Sequence, residues 1–155
     1  ETTDIPVAVR GEHGAGRVVY FCNAMESLFY HYGFPDLGRV LSNAVGWTLD
    51  EPPAIEVDAP DFVEATLMVQ PHRKLVHLVV FPVGKPVNTG WRQIGRNLIP
   101  VTNLKVKLAL RDGESVREVR LATTGAILPL QGTNGTAEVV VPRVDDHEIV
   151  IFELS

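Results

Sequence analysis

Cysteine is almost missing: the 155 residues contain one, Cys22. A single thiol excludes an internal disulfide and any metal site built from several cysteines. Its setting, Val18-Val19-Tyr20-Phe21-Cys22, reads as that of a small buried hydrophobe rather than a reactive thiol. Concentrated positive charge is also missing. The formal net charge is −5, with three basic and seven acidic side chains over residues 1–53 and eleven and twelve over 54–155. Neither part has the basic surface that phosphate backbones require, so no nucleic-acid partner is expected. The longest apolar stretch, Leu75 to Val83, is strand-sized, against the ~20 residues of a membrane span, so no membrane partner is expected either. No basic segment leads into an apolar one at the start, which makes the cytoplasm the default compartment. Aromatics are 7 % of the chain, and with several needed in a core, few are left for an exposed sugar-stacking platform.

Chemical motifs are equally scarce. There is no nucleophile elbow, no His-Glu metal motif and no long phosphate-binding glycine fingerprint. Asp145-Asp146-His147-Glu148 resembles a ligand cluster, but consecutive residues of an extended chain point to opposite faces. A polar turn into the apolar run Ile149-Val150-Ile151-Phe152 explains it better. His77, inside Leu75-Val76-His77-Leu78-Val79-Val80-Phe81, reads as a hydrogen-bonded histidine of a sandwich strand. No catalytic, cofactor-binding or metal-ligating residue is assigned. Asn134-Gly135-Thr136 fits the N-glycosylation pattern, but Asn-Gly is also a preferred hairpin turn, which suffices.

The chain does contain core material, with 45 % hydrophobic and 21 % charged residues, as in a globular protein. Its first part reads as strand, glycine turn, strand, helix. Pro6–Arg10 and Arg17–Phe21 flank Gly11, Gly14 and Gly16, and the second run is apolar enough for a strand buried on both faces. Pro35-Asp36 then opens a helix. Leu37, Val40, Leu41, Ala44, Val45 and Leu49 share one face at helical spacing, and Pro52-Pro53 ends it. Such a unit lacks the neighbours its strand and helix need. We therefore expect residues 1–53 to be the C-terminal remnant of an α/β domain, with more chain upstream of Glu1.

After Pro53 the period becomes two. Val63–Gln70 and Leu104–Arg111 alternate cleanly, and similar runs occupy roughly 74–82, 116–123, 126–130, 136–142 and 147–154. This predicts, for residues 54–155, an antiparallel β-sandwich of immunoglobulin-like type and makes the chain mainly β. The long connection Gly84 to Pro100 carries Trp91, Arg92 and Arg96, candidates for contact with another domain or a ligand. Tyr30-His31-Tyr32 is a second candidate, either lining a sugar site or packing at the end of the α/β unit.

Gly14-Ala15-Gly16-Arg17-Val18-Val19-Tyr20-Phe21, then Tyr32-Gly33-Phe34-Pro35-Asp36-Leu37 and Leu41-Ser42-Asn43-Ala44-Val45-Gly46-Trp47, resemble the end of a particular domain. It is the glutamine-amidotransferase-like trimerisation domain of beta-galactosidase-like glycoside hydrolases, which a small β domain follows. Val76-His77-Leu78-Val79 and Ile99-Pro100-Val101 are similar to stretches of that β domain, although Val80 stands where the pattern has asparagine. The resemblance implies that catalysis belongs to an upstream barrel, the partner of this region in the same chain; with no binding motif in the sequence, no cofactor is expected here. It implies a non-catalytic accessory role in carbohydrate metabolism, interdomain packing or subunit assembly, which leaves a homo-oligomer open. The alternative is a carbohydrate-binding sandwich.

Overall fold

A computed structural model describes residues 6–49, 51–81, 98–132 and 135–155. The chain divides into two compact units, Glu1–Pro53 and Ala54–Ser155, and is mainly β.

The first unit is a hairpin and two helices. Strands β1 (Ala8–His13) and β2 (Gly16–Phe21) pair antiparallel from Ala8↔Phe21 to His13↔Gly16. The two-residue loop works because Gly14 takes φ +60°, which a hairpin turn of this length needs at its first central position. Helix α1 (Met25–Tyr32) ends at Gly33, whose N–H bonds Phe29 O at 2.8 Å. Helix α2 (Pro35–Leu49) follows where the apolar spacing predicts it. It lays Leu37, Leu41, Ala44 and Trp47, all half-buried, against the hairpin, with Val19 and Phe21 on the facing side of β2. Met25 is the one buried residue among the described residues of this unit.

Two expectations are corrected here. Cys22 is exposed, not buried, because it follows the end of β2 in phase with Val18 and Tyr20, on the face α2 does not cover. For the same reason β2 is covered on one face only: Val18 is 58 % and Tyr20 64 % exposed.

The second unit is a sandwich of two antiparallel sheets. One has three strands in the order β3 (Ile55–Asp58), β6 (Val101–Ala109), β8 (Thr136–Val144). The other has four, in the order β4 (Val63–Gln70), β5 (Arg73–Val80), β9 (His147–Leu154), β7 (Val116–Leu121). Their inward phases meet in one cluster of sixteen buried residues that includes Val76, Leu78, Leu104, Val106, Leu108, Val139, Val141 and Phe152. Burying such side chains is the main stabilising term, at about 1.5–3 kcal/mol each. The run at 126–130 buries Leu128 in the core but forms no strand, only an isolated bridge, Arg120↔Ile127; Pro129, lacking an N–H, cannot complete a ladder there.

The outward phases of the two sheets differ. On the three-stranded sheet Glu56, Lys107 and Glu138 lie in one cross-strand row, with Lys107 Nζ 3.3 Å from Glu56 Oε1. On the four-stranded sheet the corresponding rows are Met68, Leu75 and Ile151, and Thr66, His77 and Ile149. No helix among the described residues is long and apolar enough to cross a membrane.

Candidate functional site

Tyr30, His31 and Tyr32 close α1, a helix absent from the sequence expectation, and Phe34 follows them. Tyr30 is 71 % and Tyr32 67 % exposed. Tyr32 and Phe34 lie nearly parallel with centroids 5.7 Å apart, and Tyr30 meets His31 edge-on at 5.4 Å. His31 Nδ1 is 2.8 Å from Ser27 O. A carbonyl only accepts, so Nδ1 donates to it. Tyr32 and Phe34 thus form one open pair of rings and Tyr30, two residues back on the helix, another open ring, surfaces able to stack on a sugar or on another protein's apolar side chains. On the hairpin side, the guanidinium groups of Arg10 and Arg17 lie 5.6 and 5.5 Å from the Trp47 ring centroid. Arg17 Nη1 also donates to Trp47 O at 3.2 Å, so this cluster fastens the hairpin to α2. Trp91, Arg92 and Arg96 lie outside the described residues.

Within the sandwich, register buries charged residues, of which the sequence reading weighed only Glu148, as part of a polar turn. Lys74 shares the inward phase of β5 with Val76, Leu78 and Val80 and is 4 % exposed. Its ammonium donates to Glu114 and, at 3.4 Å, to Ala109 O. Glu114 also accepts from Arg111 N at 2.8 Å. The Lys74 hydrogen bond above all, then the Arg111 amide, holds the Glu114 carboxyl below the usual glutamate range. Glu148, 4 % exposed, accepts from Thr123 Oγ1, from Thr123 N at 3.1 Å and from Ile149 N at 2.8 Å. Both carboxylates are committed to structure, which leaves neither as a free general acid or base.

His77 is hydrogen-bonded as expected, and its partner is His147: Nδ1 to Nε2 is 3.2 Å. The rings are nearly parallel with centroids 5.4 Å apart. That separation is too wide for face-to-face stacking and suits two imidazoles meeting edge to edge through one N–H···N bond. His77 Nε2 is buried without a hydrogen-bond partner. Asp145 and Asp146 form the turn before β9, and Asp145 accepts from Arg143 at 2.6 and 2.9 Å. Among the described residues no group of three or more His, Cys, Asp or Glu could hold a metal ion. An open depression of ≈ 540 Å³ lies beside Arg111, Asp112, Glu114 and Gln131. Its lining mixes these polar residues with Leu110, Val116 and Leu130 and contains no aromatic ring, so it offers no stacking surface for a sugar ring.

Two buried charges were detectable, because alternation of Lys74 with Val76, Leu78 and Val80, and of Glu148 with Val150 and Phe152, already places them on the core face. The meeting of Lys74 with Glu114, forty residues away, has no local signal.

No protein-family model and no curated protein matches the chain. Solved structures do. The alpha-L-fucosidase isoenzyme 2 from Paenibacillus thiaminolyticus matches at TM-score 0.74 and 23 % identity, over 94 % of this chain and 22 % of that one. A cycloisomaltooligosaccharide glucanotransferase from a Paenibacillus species, solved with cycloisomaltoheptaose, matches at TM-score 0.51 and 17 % identity, over 64 % of this chain and 16 % of that one. The fold is one that glycoside-active enzymes carry. The chain spans less than a quarter of the length of either neighbour, and neither neighbour is a beta-galactosidase.

Proposed function

We propose that the chain is a non-catalytic C-terminal accessory region of a glycoside hydrolase, serving interdomain packing or subunit assembly in the cytoplasm. One observation carries this reading: the likeness to the fucosidase runs over 94 % of this chain, both units included, yet takes up only 22 % of that enzyme. In this reading residues 1–53 close an amidotransferase-like domain of the beta-galactosidase-like type, the sandwich is immunoglobulin-like, and Trp91, Arg92 and Arg96 are contacts to the upstream catalytic domain. The polypeptide encoded by the gene, assayed on chromogenic fucosides and galactosides, should hydrolyse at least one, while the 155-residue chain alone should hydrolyse none. Turnover by the 155-residue chain, or none by the complete gene product, would count against it. Trp91→Ala should lower the stability of the complete product through weaker docking, and an unchanged unfolding transition would remove that residue from the reading.

A second reading, a carbohydrate-binding module, draws on the exposed rings of Tyr30, Tyr32 and Phe34. Calorimetric titration with oligosaccharides separates the two. A saturable signal abolished by Tyr30→Ala and Tyr32→Ala favours the module, and a flat titration favours docking.

A further inference from the structure

The described residues of the first unit leave three needs unmet. The first concerns main-chain pairing. Cys22 N bonds Val7 O at 2.9 Å, which in an antiparallel ladder makes Val9/Tyr20 and Gly11/Val18 hydrogen-bonded pairs as well. Val19 and Phe21 therefore turn their N–H and C=O groups toward the far edge of β2. Among the described residues the hairpin is a two-stranded sheet, with no third strand on that edge. The second is the hairpin face opposite α2, where Val9, Val18 and Tyr20 are 47 %, 58 % and 64 % exposed. The third is the stripe on α2, which is wider than two strands. Leu37, Leu41, Ala44 and Trp47 are half-buried on the hairpin side, while Val45 and Leu49 on one flank stay exposed.

The two edges are not alike. β1 carries Arg10, Gly11 and Glu12, and charge with a weak strand former is how proteins guard a true sheet edge against pairing. β2 carries Val18-Val19-Tyr20-Phe21, the composition of an interior strand flanked on both sides. We propose that β1 is the outer edge of a larger α/β layer. A further strand joins β2 along Val19 and Phe21, sliding beneath one flank of α2, and a helix of the same layer covers Val9, Val18 and Tyr20. The occupant is the preceding part of the same polypeptide, so the proposal rests on the accessory-region reading. A second copy of the chain suits the surface less well. A twofold contact buries one patch against itself, whereas an edge, a sheet face and a helix flank point in different directions. The fucosidase supports an intrachain source, because it carries this fold within a chain of which the match is 22 %.

Amide hydrogen exchange, read residue by residue, tests it on the complete gene product and on the 155-residue chain. Val19 and Phe21 should exchange at least about 100-fold more slowly in the complete product, and Ala8 and Arg10, facing the guarded edge, should be equally fast in both. Tyr20→Lys should reduce the protection in the complete product and leave exchange in the short chain unchanged. Equal rates at Val19 and Phe21, protection at Arg10 instead, or a gene that encodes no upstream chain would overturn the proposal. So would protection in the short chain that grows with concentration alongside a dimer mass, which assigns the surface to a second copy. Glycoside turnover measured on the same sample keeps the two readings apart. Protection without turnover retains the strand pairing and rejects the glycosidase assignment, and turnover without protection does the reverse.

Discussion

Consider removing Glu114 from the Lys74 pair. The two ends of this ion pair are unequally placed, with side-chain exposures of 5 % for Lys74 and 22 % for Glu114. Glu114→Ala strands an ammonium group at the edge of the core with Ala109 O, at 3.4 Å, as its remaining acceptor in the described contacts. Breaking a buried pair from one side costs about 3–5 kcal/mol when the survivor is sealed from water. Here the partly open end lets water approach, and we expect about 2–3 kcal/mol, equivalent to about 10–20 °C in Tm for a domain of this size. Lys74→Met should behave differently. It fills the same inward position with an apolar side chain and leaves Glu114 where water and Arg111 N satisfy it, so the change should stay within about 1 kcal/mol. The double variant should fall near Lys74→Met, well above Glu114→Ala. Urea denaturation of the full chain, followed by far-UV circular dichroism, measures all four. If Lys74→Met costs as much as Glu114→Ala, or if the double variant is the least stable, the burial asymmetry is not what governs the pair.

The same carboxylate sets a pH dependence. Its folded-state value is depressed, so its contribution is complete above the ordinary glutamate range and disappears as pH falls through the lower folded value; Glu114→Gln should flatten that limb of the stability–pH curve. Phe152, fully buried, should cost about 3–5 kcal/mol as Phe152→Ala, while Ile127→Ala, at a site 66 % exposed, should stay within about 0.5 kcal/mol in the same denaturation assay. Gly132→Ala should destabilise by about 1–3 kcal/mol, because φ is +148° and an added Cβ would sit 2.3 Å from Thr136 O. A neutral Gly132→Ala in thermal unfolding would show that Gly132 and Thr136 move apart freely.

Where a local period dominates, the sequence was a good guide. The apolar residues of α2 repeat at helical spacing over 35–49, and β4, β5 and β6 alternate because one face of each meets the core. The failures have local causes. Strand β3 is four residues long, follows two prolines and alternates Ile55 and Val57 with Glu56 and Asp58, too short a run to stand out. Helix α1 has no side-chain cap at Ala24 and is crowded with aromatics, which favour strands. The expected strand at 126–130 meets Pro129. Cys22 was misread because the burial of β2 was expected on both faces. Contacts set by register, such as His77 with His147 across seventy residues, emerge only once β5 and β9 are aligned.

The position of β9 bears on how the chain is made. It is the last strand in sequence, yet it lies between β5 and β7. Until residues 147–154 have emerged from the ribosome, β5 and β7 have no common neighbour, and Val76, Leu78 and Val119 lack the Val150 and Phe152 that share their cluster. At about 5–20 residues per second, the sheet waits on its final strand with two apolar edges open. Synthesis, and not only thermodynamics, therefore decides when this sandwich can first close.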